Sequence, residues 1–143
     1  MGGRPPNGSR IPGMPHPSET LIRRLYAARA RSDLDTVRAI LAADIVWHEP
    51  GPDSPFTGHL RGADAVLGMH AQAMALTGGT FRLELHDVLA NDDHVVALVN
   101  WSAERGGRRL TGREVAVYHV RDGRVTEAWF HPDDAATVES FWV

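Results

Sequence analysis

The chain has 143 residues, of which 43% are hydrophobic and 23% charged, with a formal net charge of -3; this indicates one globular domain with a buried core. It contains no cysteine, and all 15 of its basic residues are arginine, which excludes thiol nucleophiles, disulfides, lysine Schiff bases and phosphate-loop lysines. The arginines are scattered, and no apolar stretch approaches the roughly 20 residues of a membrane span. We therefore expect neither nucleic acid nor a membrane as partner, and we expect a cytoplasmic protein.

The N-terminal segment differs from the rest of the chain. Residues 1–17 are rich in Pro, Gly and Arg and lack hydrophobic periodicity, which is typical of a disordered leader. We expect residues 18–143 to form a single domain. Three helices are predicted in its first half, one from a cap at Ser18 to about Arg31, one over Leu34–Leu41 and one over Gly62–Leu76.

A short strand, Ile45–Trp47, follows the second helix and is ended by the Pro-Gly-Pro sequence that begins at Pro50. Because successive residues of a strand point to opposite faces, Trp47 and Glu49 share one face and His48 lies on the other. We expect His48 to face solvent or a dimer partner.

Glu49 allows two interpretations. If its carboxylate lies in a pocket, burial raises its pKa and makes it a candidate general base. If it lies at the rim of the protein, it is an ordinary surface carboxylate paired with an arginine such as Arg61 or Arg113.

From residue 81 the hydrophobic period changes to two, which predicts strands joined by hairpin turns. The predicted strands are Phe81–Leu89, His94–Glu104, Leu110–Val120 and Arg124–His131. Asp133 or Asp134 is expected to cap a final helical turn that ends at Phe141 and Trp142. Helices followed by an antiparallel meander are typical of an α+β fold with the helices on one face of the sheet.

The stretches "SDLDTVRAILAADIVWHEPG", "FTGHLRGADAV" and "VYHVRDGRVTEAW", in this order of elements, resemble the nuclear transport factor 2-like superfamily. The likeness is to its SnoaL-like branch, which includes polyketide cyclases and is related to ketosteroid isomerases and limonene epoxide hydrolases. The resemblance covers about residues 18–143. It implies a cone-shaped, curved antiparallel sheet wrapped around N-terminal helices, an apolar pocket, and a homodimer formed through the outer face of the sheet.

The resemblance also implies site residues. Glu49, directly before a proline, occupies the place of the proton-shuttling carboxylate of ketosteroid isomerases. Their oxyanion tyrosine has its nearest counterpart in Tyr26, although Leu25 falls at the matching position. Their second oxyanion donor falls on Ala116, and the last-strand acid of cyclases and epoxide hydrolases falls on Phe130, so both acids are missing.

The facing of the last two strands depends on the turn in "VRDGR". A type I turn with a bulge at Gly123 places Ala116, Tyr118 and Phe130 on one face, whereas a tight two-residue turn turns His131 toward that face. We favour the bulge because it gives a mostly apolar inner face. In the other register His131 becomes a partner for Glu49.

Two further side chains are candidate donors to a developing enolate. Tyr118 is either such a donor or a core tyrosine with a satisfied hydroxyl, and Asn100 is either an inward amide or an edge residue. The histidines lack metal-ligand spacing, so we expect neither metal nor cofactor. The expected pocket lining, or plain core, is Trp47, Tyr26, Phe56, Met69, Met74, Ala116 and Phe130.

These observations favour a cofactor-independent acid–base enzyme, of the isomerase or cyclase type, acting on a small apolar carbonyl-bearing or polycyclic compound. The alternative is a ligand-binding or scaffolding dimer without chemistry, which the missing acids favour. An epoxide hydrolase or dehydratase is the third hypothesis.

Overall fold

The computed structural model describes residues 13–50 and 58–142. The helices are α1 (Pro17–Ala30), α2 (Leu34–Ile40), α3 (Ala63–Leu76) and α4 (Ala135–Trp142). The strands are β1 (Leu41–Glu49), β2 (Gly58–Arg61), β3 (Arg82–Ala90), β4 (His94–Arg105), β5 (Arg108–Arg121) and β6 (Arg124–Pro132). Most of the predicted leader, and also Phe56, lie outside the described residues. Among the helices in these two ranges, none combines the length and apolarity needed to span a bilayer.

The six strands form one curved, unclosed sheet in the order β2-β1-β6-β5-β4-β3. Neighbouring strands are antiparallel with one exception, since β1 runs parallel to β6, with Trp47 opposite Ala128. The expectation of a wholly antiparallel sheet is therefore wrong at this pair. The meander β3–β6 and the helices that precede it confirm the predicted α+β class.

Strand β2 was not predicted, because its four residues are too short and too polar to show a period of two. It exists through backbone pairing with β1, in which Glu49 lies opposite Gly58 and Val46 lies opposite Arg61. Gly62 follows it with a φ of 88°, a conformation that favours glycine. The chain turns there into α3.

The last hairpin confirms the favoured facing but not the favoured turn. Asp122 and Gly123 both have positive φ, 52° and 73°, and they form a tight two-residue turn between the paired Arg121 and Arg124. A register shift deeper in the hairpin, between His119 and Val120 on β5, reverses the facing that such a turn alone would impose.

As a result, Ala116, Tyr118 and Phe130 are all buried on one face. His131 is exposed, because it follows the inward-facing Phe130 along the strand. The alternative that places His131 in the pocket is wrong.

The core lies between the concave face of the sheet and the helices. Ile22 and Leu25 of α1 and Ile45 of β1 have no exposed surface.

The cap of α1 is not Ser18, since His16 accepts the Ser18 backbone N–H at its Nδ1 (3.0 Å).

The C-terminal helix packs a second apolar cluster, containing Phe141 and Trp142, over the far end of the sheet. Of the two expected caps, Asp134 is the one that accepts the Thr137 N–H (3.0 Å).

Candidate functional site

A cavity of about 90 Å³ opens between the sheet and helices α1, α3 and α4. Its walls are largely apolar and aromatic, with Met69, Phe81, Leu83, Trp101, Phe130 and Trp142 among them. Five groups that can carry charge also line it, namely Arg29, Glu49, His70, Glu114 and Glu139. Apolar walls with a few convergent polar groups are the usual form of a small-molecule site.

The carboxyl group of Glu49 stands in this cavity at the end of β1. Trp47, two residues earlier and on the same face of the strand, donates its indole N–H to Oε1 of Glu49 (2.6 Å). The other carboxyl oxygen forms no hydrogen bond with a described residue. Within the described ranges Glu49 forms no ion pair with Arg61 or Arg113, both of which are exposed.

The pKa of Glu49 is raised from 4.5 to about 7, mainly because burial disfavours its charged form. The Trp47 hydrogen bond and the Arg29 charge lower this pKa, and the charge of Glu114 raises it. Glu49 therefore changes its ionisation close to neutral pH.

Glu114 reaches the same cavity from β5. Burial raises its pKa, and the Arg29 charge lowers it. The Glu114 charge in turn raises the pKa of Glu49, so the two carboxyls are electrostatically coupled.

Arg29 is a charged residue on the buried side of α1, with only 9% of its surface exposed. Its Cζ lies 5.8 Å from the ring centroid of Tyr26 and 5.6 Å from that of Trp47, within the range of cation–π attraction. The guanidinium forms no hydrogen bond or ion pair with any described residue.

His70 enters the cavity from α3 and is 4% exposed. Both of its ring nitrogens are buried without a hydrogen-bond partner in the described part of the chain. Burial, and then the Arg29 charge, lower the pKa of His70 to about 4. The imidazole is therefore neutral near pH 7, with one N–H donor and one acceptor.

The two phenols proposed as enolate donors lie elsewhere. The hydroxyls of Tyr26 and Tyr118 are hydrogen-bonded to each other (2.6 Å), neither residue lines the cavity, and burial raises the pKa of both. Asn100 is exposed, since it points to the opposite side of β4 from the buried Val99 and Trp101. Neither the two phenols nor Asn100 lines the cavity that holds Glu49.

The predicted lining is confirmed for Met69 and Phe130. Trp47, Tyr26 and Ala116 are core residues outside the cavity wall, and Met74 does not line the cavity either.

Sequence reasoning missed Arg29, His70 and Glu114, although each leaves a signal. Arg29 and His70 are polar residues on the apolar stripes of α1 and α3. Glu114 precedes Ala116 by two residues and so shares its inward face.

The helices, the curved open sheet and this cavity define an α+β protein of the nuclear transport factor 2-like class. Residues 22–128 match the SnoaL-like domain, and the chain belongs to that family. An uncharacterised protein of Mycobacterium tuberculosis is 39% identical over 124 residues, which are 85% of this chain and 93% of that protein.

Two solved structures are also similar. Bal32a, from a soil-derived mobile gene cassette, is 32% identical with a TM-score of 0.85, over 89% of this chain and 97% of Bal32a. IdmH, a proposed polyketide cyclase from Streptomyces antibioticus, is 24% identical with a TM-score of 0.71, over 90% of this chain and 100% of IdmH. At 24% identity, the likeness to IdmH shows a common fold alone.

Proposed function

We propose that this protein is a cofactor-independent acid–base enzyme, of the isomerase or cyclase type, acting on a small apolar carbonyl compound. The observation that carries the proposal is the Glu49 carboxyl, which stands in an apolar-walled cavity with a pKa of about 7. A general base is most effective when its pKa lies near the working pH. Glu49 has one oxygen held by Trp47 and one without a partner among the described residues, which suits a base.

The reaction begins with proton transfer from a carbon next to the substrate carbonyl to the free oxygen of Glu49. The electrons of the broken C–H bond form the C=C bond of an enolate, and the negative charge moves to the carbonyl oxygen. In an isomerisation, Glu49 returns the proton to another carbon. In a cyclisation, the enolate carbon attacks a second carbonyl of the same molecule, and the resulting alkoxide takes up the proton. Neither outcome needs an oxidant or a reductant.

The family supports this proposal at the level of fold, since IdmH, with the same fold, is a proposed polyketide cyclase. A fold of this kind does not fix the reaction, so the argument depends on Glu49 and its surroundings.

A binding protein without chemistry is the second candidate. It is favoured by the Tyr26–Tyr118 hydrogen bond, since neither phenol lines the cavity, and by the apolar residues Ala116 and Phe130 at the two positions where the resemblance implies acids. In that case the cavity holds an apolar ligand and releases it unchanged.

The test is deuterium uptake, followed by mass spectrometry, into a panel of steroid, polyketide-type and simple ketones in heavy water. Wild type is compared with Glu49→Gln and with Glu127→Gln, which removes a carboxylate on the opposite face of the sheet. We expect Glu49→Gln to slow uptake by about 100- to 10,000-fold and Glu127→Gln to leave it unchanged. Wild-type uptake should rise with pH through about 7 as Glu49 ionises.

Equal uptake by wild type and Glu49→Gln would exclude Glu49 as the base. No uptake from any ketone, together with a co-purified ligand recovered unchanged, would favour the binding protein.

A further inference from the structure

Two polar side chains of the cavity have no hydrogen-bond partner among the described residues of the ligand-free protein. Both ring nitrogens of His70 are buried without a partner, and the Arg29 guanidinium forms no hydrogen bond with any described residue. Buried polar groups in native proteins are nearly always hydrogen-bonded, and an exception calls for an explanation. A ligand that supplies the missing partner is such an explanation.

The cation–π contacts of Arg29 explain its position without satisfying its donors. The faces of Tyr26 and Trp47 attract the guanidinium, but its N–H groups have no acceptor among the described residues. Trp47 also donates to Glu49 (2.6 Å). One indole therefore positions both the cation and the carboxyl group proposed as the base.

We propose that Arg29 and His70 together form an oxyanion site, in which the negatively charged oxygen of an enolate ligand accepts hydrogen bonds from both side chains. This inference rests on the proposed function, because an enolate arises in the cavity only when a base removes a proton from carbon. It assigns to α1 and α3 the role first expected of the phenols and of Asn100.

The charges in the cavity fit this assignment. Before the reaction the negative charge is on Glu49, and after it Glu49 is neutral and the charge is on the ligand oxygen. The number of charges in the apolar cavity stays the same, so the step avoids burying a new one. Glu114 and Glu139 also line the cavity, and the Arg29 charge lowers the pKa of Glu114.

His70 suits this role as a neutral donor. A neutral imidazole can donate a hydrogen bond to a carbonyl or enolate oxygen without being a competing acid at neutral pH, as in triosephosphate isomerase. Arg29 supplies the positive charge that His70 lacks, and the largely apolar walls of the cavity would strengthen both bonds.

The site is tested by binding of 4-nitrophenol, whose phenolate is a planar oxyanion with a visible absorption band, at pH 8. Nitrobenzene, which has the same ring and nitro group but no hydroxyl, is the uncharged control. The background is Glu49→Gln, which holds a neutral side chain where the base has just taken up its proton. Arg29→Met and His70→Phe are added to it singly, because each keeps much of the side-chain shape.

We expect Glu49→Gln to bind 4-nitrophenolate more tightly than wild type does, since ionised Glu49 repels the phenolate. Adding Arg29→Met or His70→Phe should weaken phenolate binding by roughly 10- to 100-fold. Nitrobenzene binding should change by less than about twofold. Circular dichroism checks that each variant is folded, and Arg29→Gln replaces Arg29→Met if the latter is not.

Unchanged phenolate binding in both added variants would overturn the oxyanion site, even if deuterium uptake still depends on Glu49. An equal loss of phenolate and nitrobenzene binding would also overturn it, because it would assign the two residues to the shape of the cavity alone. Conversely, Arg29- and His70-dependent phenolate binding without any deuterium uptake would support the anion site and contradict the proposed enzyme.

Discussion

The histidines on the outer face of the sheet differ from His70, which lies in the cavity on the inner side, in how their ring nitrogens are hydrogen-bonded. On the outer face, away from the helices, Nε2 of His48 lies 2.7 Å from Oε2 of Glu127, and its Nδ1 lies 2.5 Å from Nδ1 of His59. The His48 ring also stacks on Trp129, with centroids 5.1 Å apart. In the cavity, His70 of α3 forms no hydrogen bond from either ring nitrogen to a described residue.

The histidines of the outer face form a row across the sheet, which we call the outer row and which contains His48, His119 and His94 together with Trp129. His119 contacts Trp129 edge to face (4.7 Å between centroids), and His94 contacts His119 in the same manner (4.9 Å). These histidines lie on neighbouring strands, where cross-strand pairs contribute to sheet stability. The outer histidines thus contact side chains of this chain, and His48 is hydrogen-bonded through both ring nitrogens.

The comparison separates two uses of a polar side chain. Groups that pair with one another stabilise the fold, whereas the unpartnered nitrogens of His70 and the desolvated carboxyl of Glu49 cost stability and, on our proposal, serve a ligand. Natural proteins accept such costs at functional sites and compensate for them elsewhere. The same argument predicts that removing the inner groups stabilises the free protein and that removing the outer groups does not.

The largest expected effect on stability is at Glu49. The folded chain holds the Glu49 proton up to a pH of about 7, while the unfolded chain releases it near its ordinary value. The free energy of unfolding therefore falls as pH rises through this window, by about 3 kcal/mol from this one group. Glu49→Gln removes that loss, so the variant should match wild type below pH 4.5 and exceed it at pH 8.

Urea denaturation of both proteins between pH 4 and pH 8 measures this difference, which includes the coupling of Glu49 to Glu114. Glu127→Gln, on the outer face, should show no comparable pH-dependent gain. A Glu49→Gln curve parallel to that of wild type would mean that the Glu49 carboxyl is not desolvated in the folded chain.

A somewhat smaller gain is expected at His70. Replacing its two unsatisfied nitrogens with carbon in His70→Phe should raise the free energy of unfolding of the ligand-free protein by about 1–3 kcal/mol. His48→Phe is the matched control and should lower it, because His48 loses its hydrogen bonds to Glu127 and His59. Thermal and urea unfolding of the two variants decide the question, and a loss of stability in His70→Phe would show that His70 stabilises the fold.

Much of the fold could be predicted because its helices and most of its strands follow from hydrophobic patterns that are local in sequence. The apolar stripes of α1 and α3 and the alternation in β3–β6 are local in sequence, so their limits were found to within a few residues. The parallel pairing of β1 with β6 and the short strand β2 arise from contacts between distant segments, which no local pattern encodes.

The candidate site was predictable only in part. The strand position of Glu49 allowed a pocket or a rim, and the resemblance to ketosteroid isomerases favoured the pocket. The inward facing of Phe130 follows from the apolar face. Tyrosine and asparagine were named as enolate donors from their chemistry and, for Tyr26, from the resemblance, and neither argument gives the position of a side chain in the fold. Only the structure shows that the Tyr26 and Tyr118 hydroxyls bond to each other and that Arg29 and His70 face the cavity instead.

The smallest expected effect is on the outer row itself. Glu127 and His48 are partly exposed, with 34% and 22% of their side-chain surfaces accessible, and ion pairs near the surface contribute less than about 1 kcal/mol. Glu127→Gln should lower the free energy of unfolding by no more than this, and the difference should shrink at high salt, which screens the pair. Urea denaturation at low and high salt measures it. A loss of deuterium uptake in Glu127→Gln as large as that in Glu49→Gln would contradict the distinction between a structural outer face and a functional cavity. The outer carboxylate would then be needed for the reaction as well.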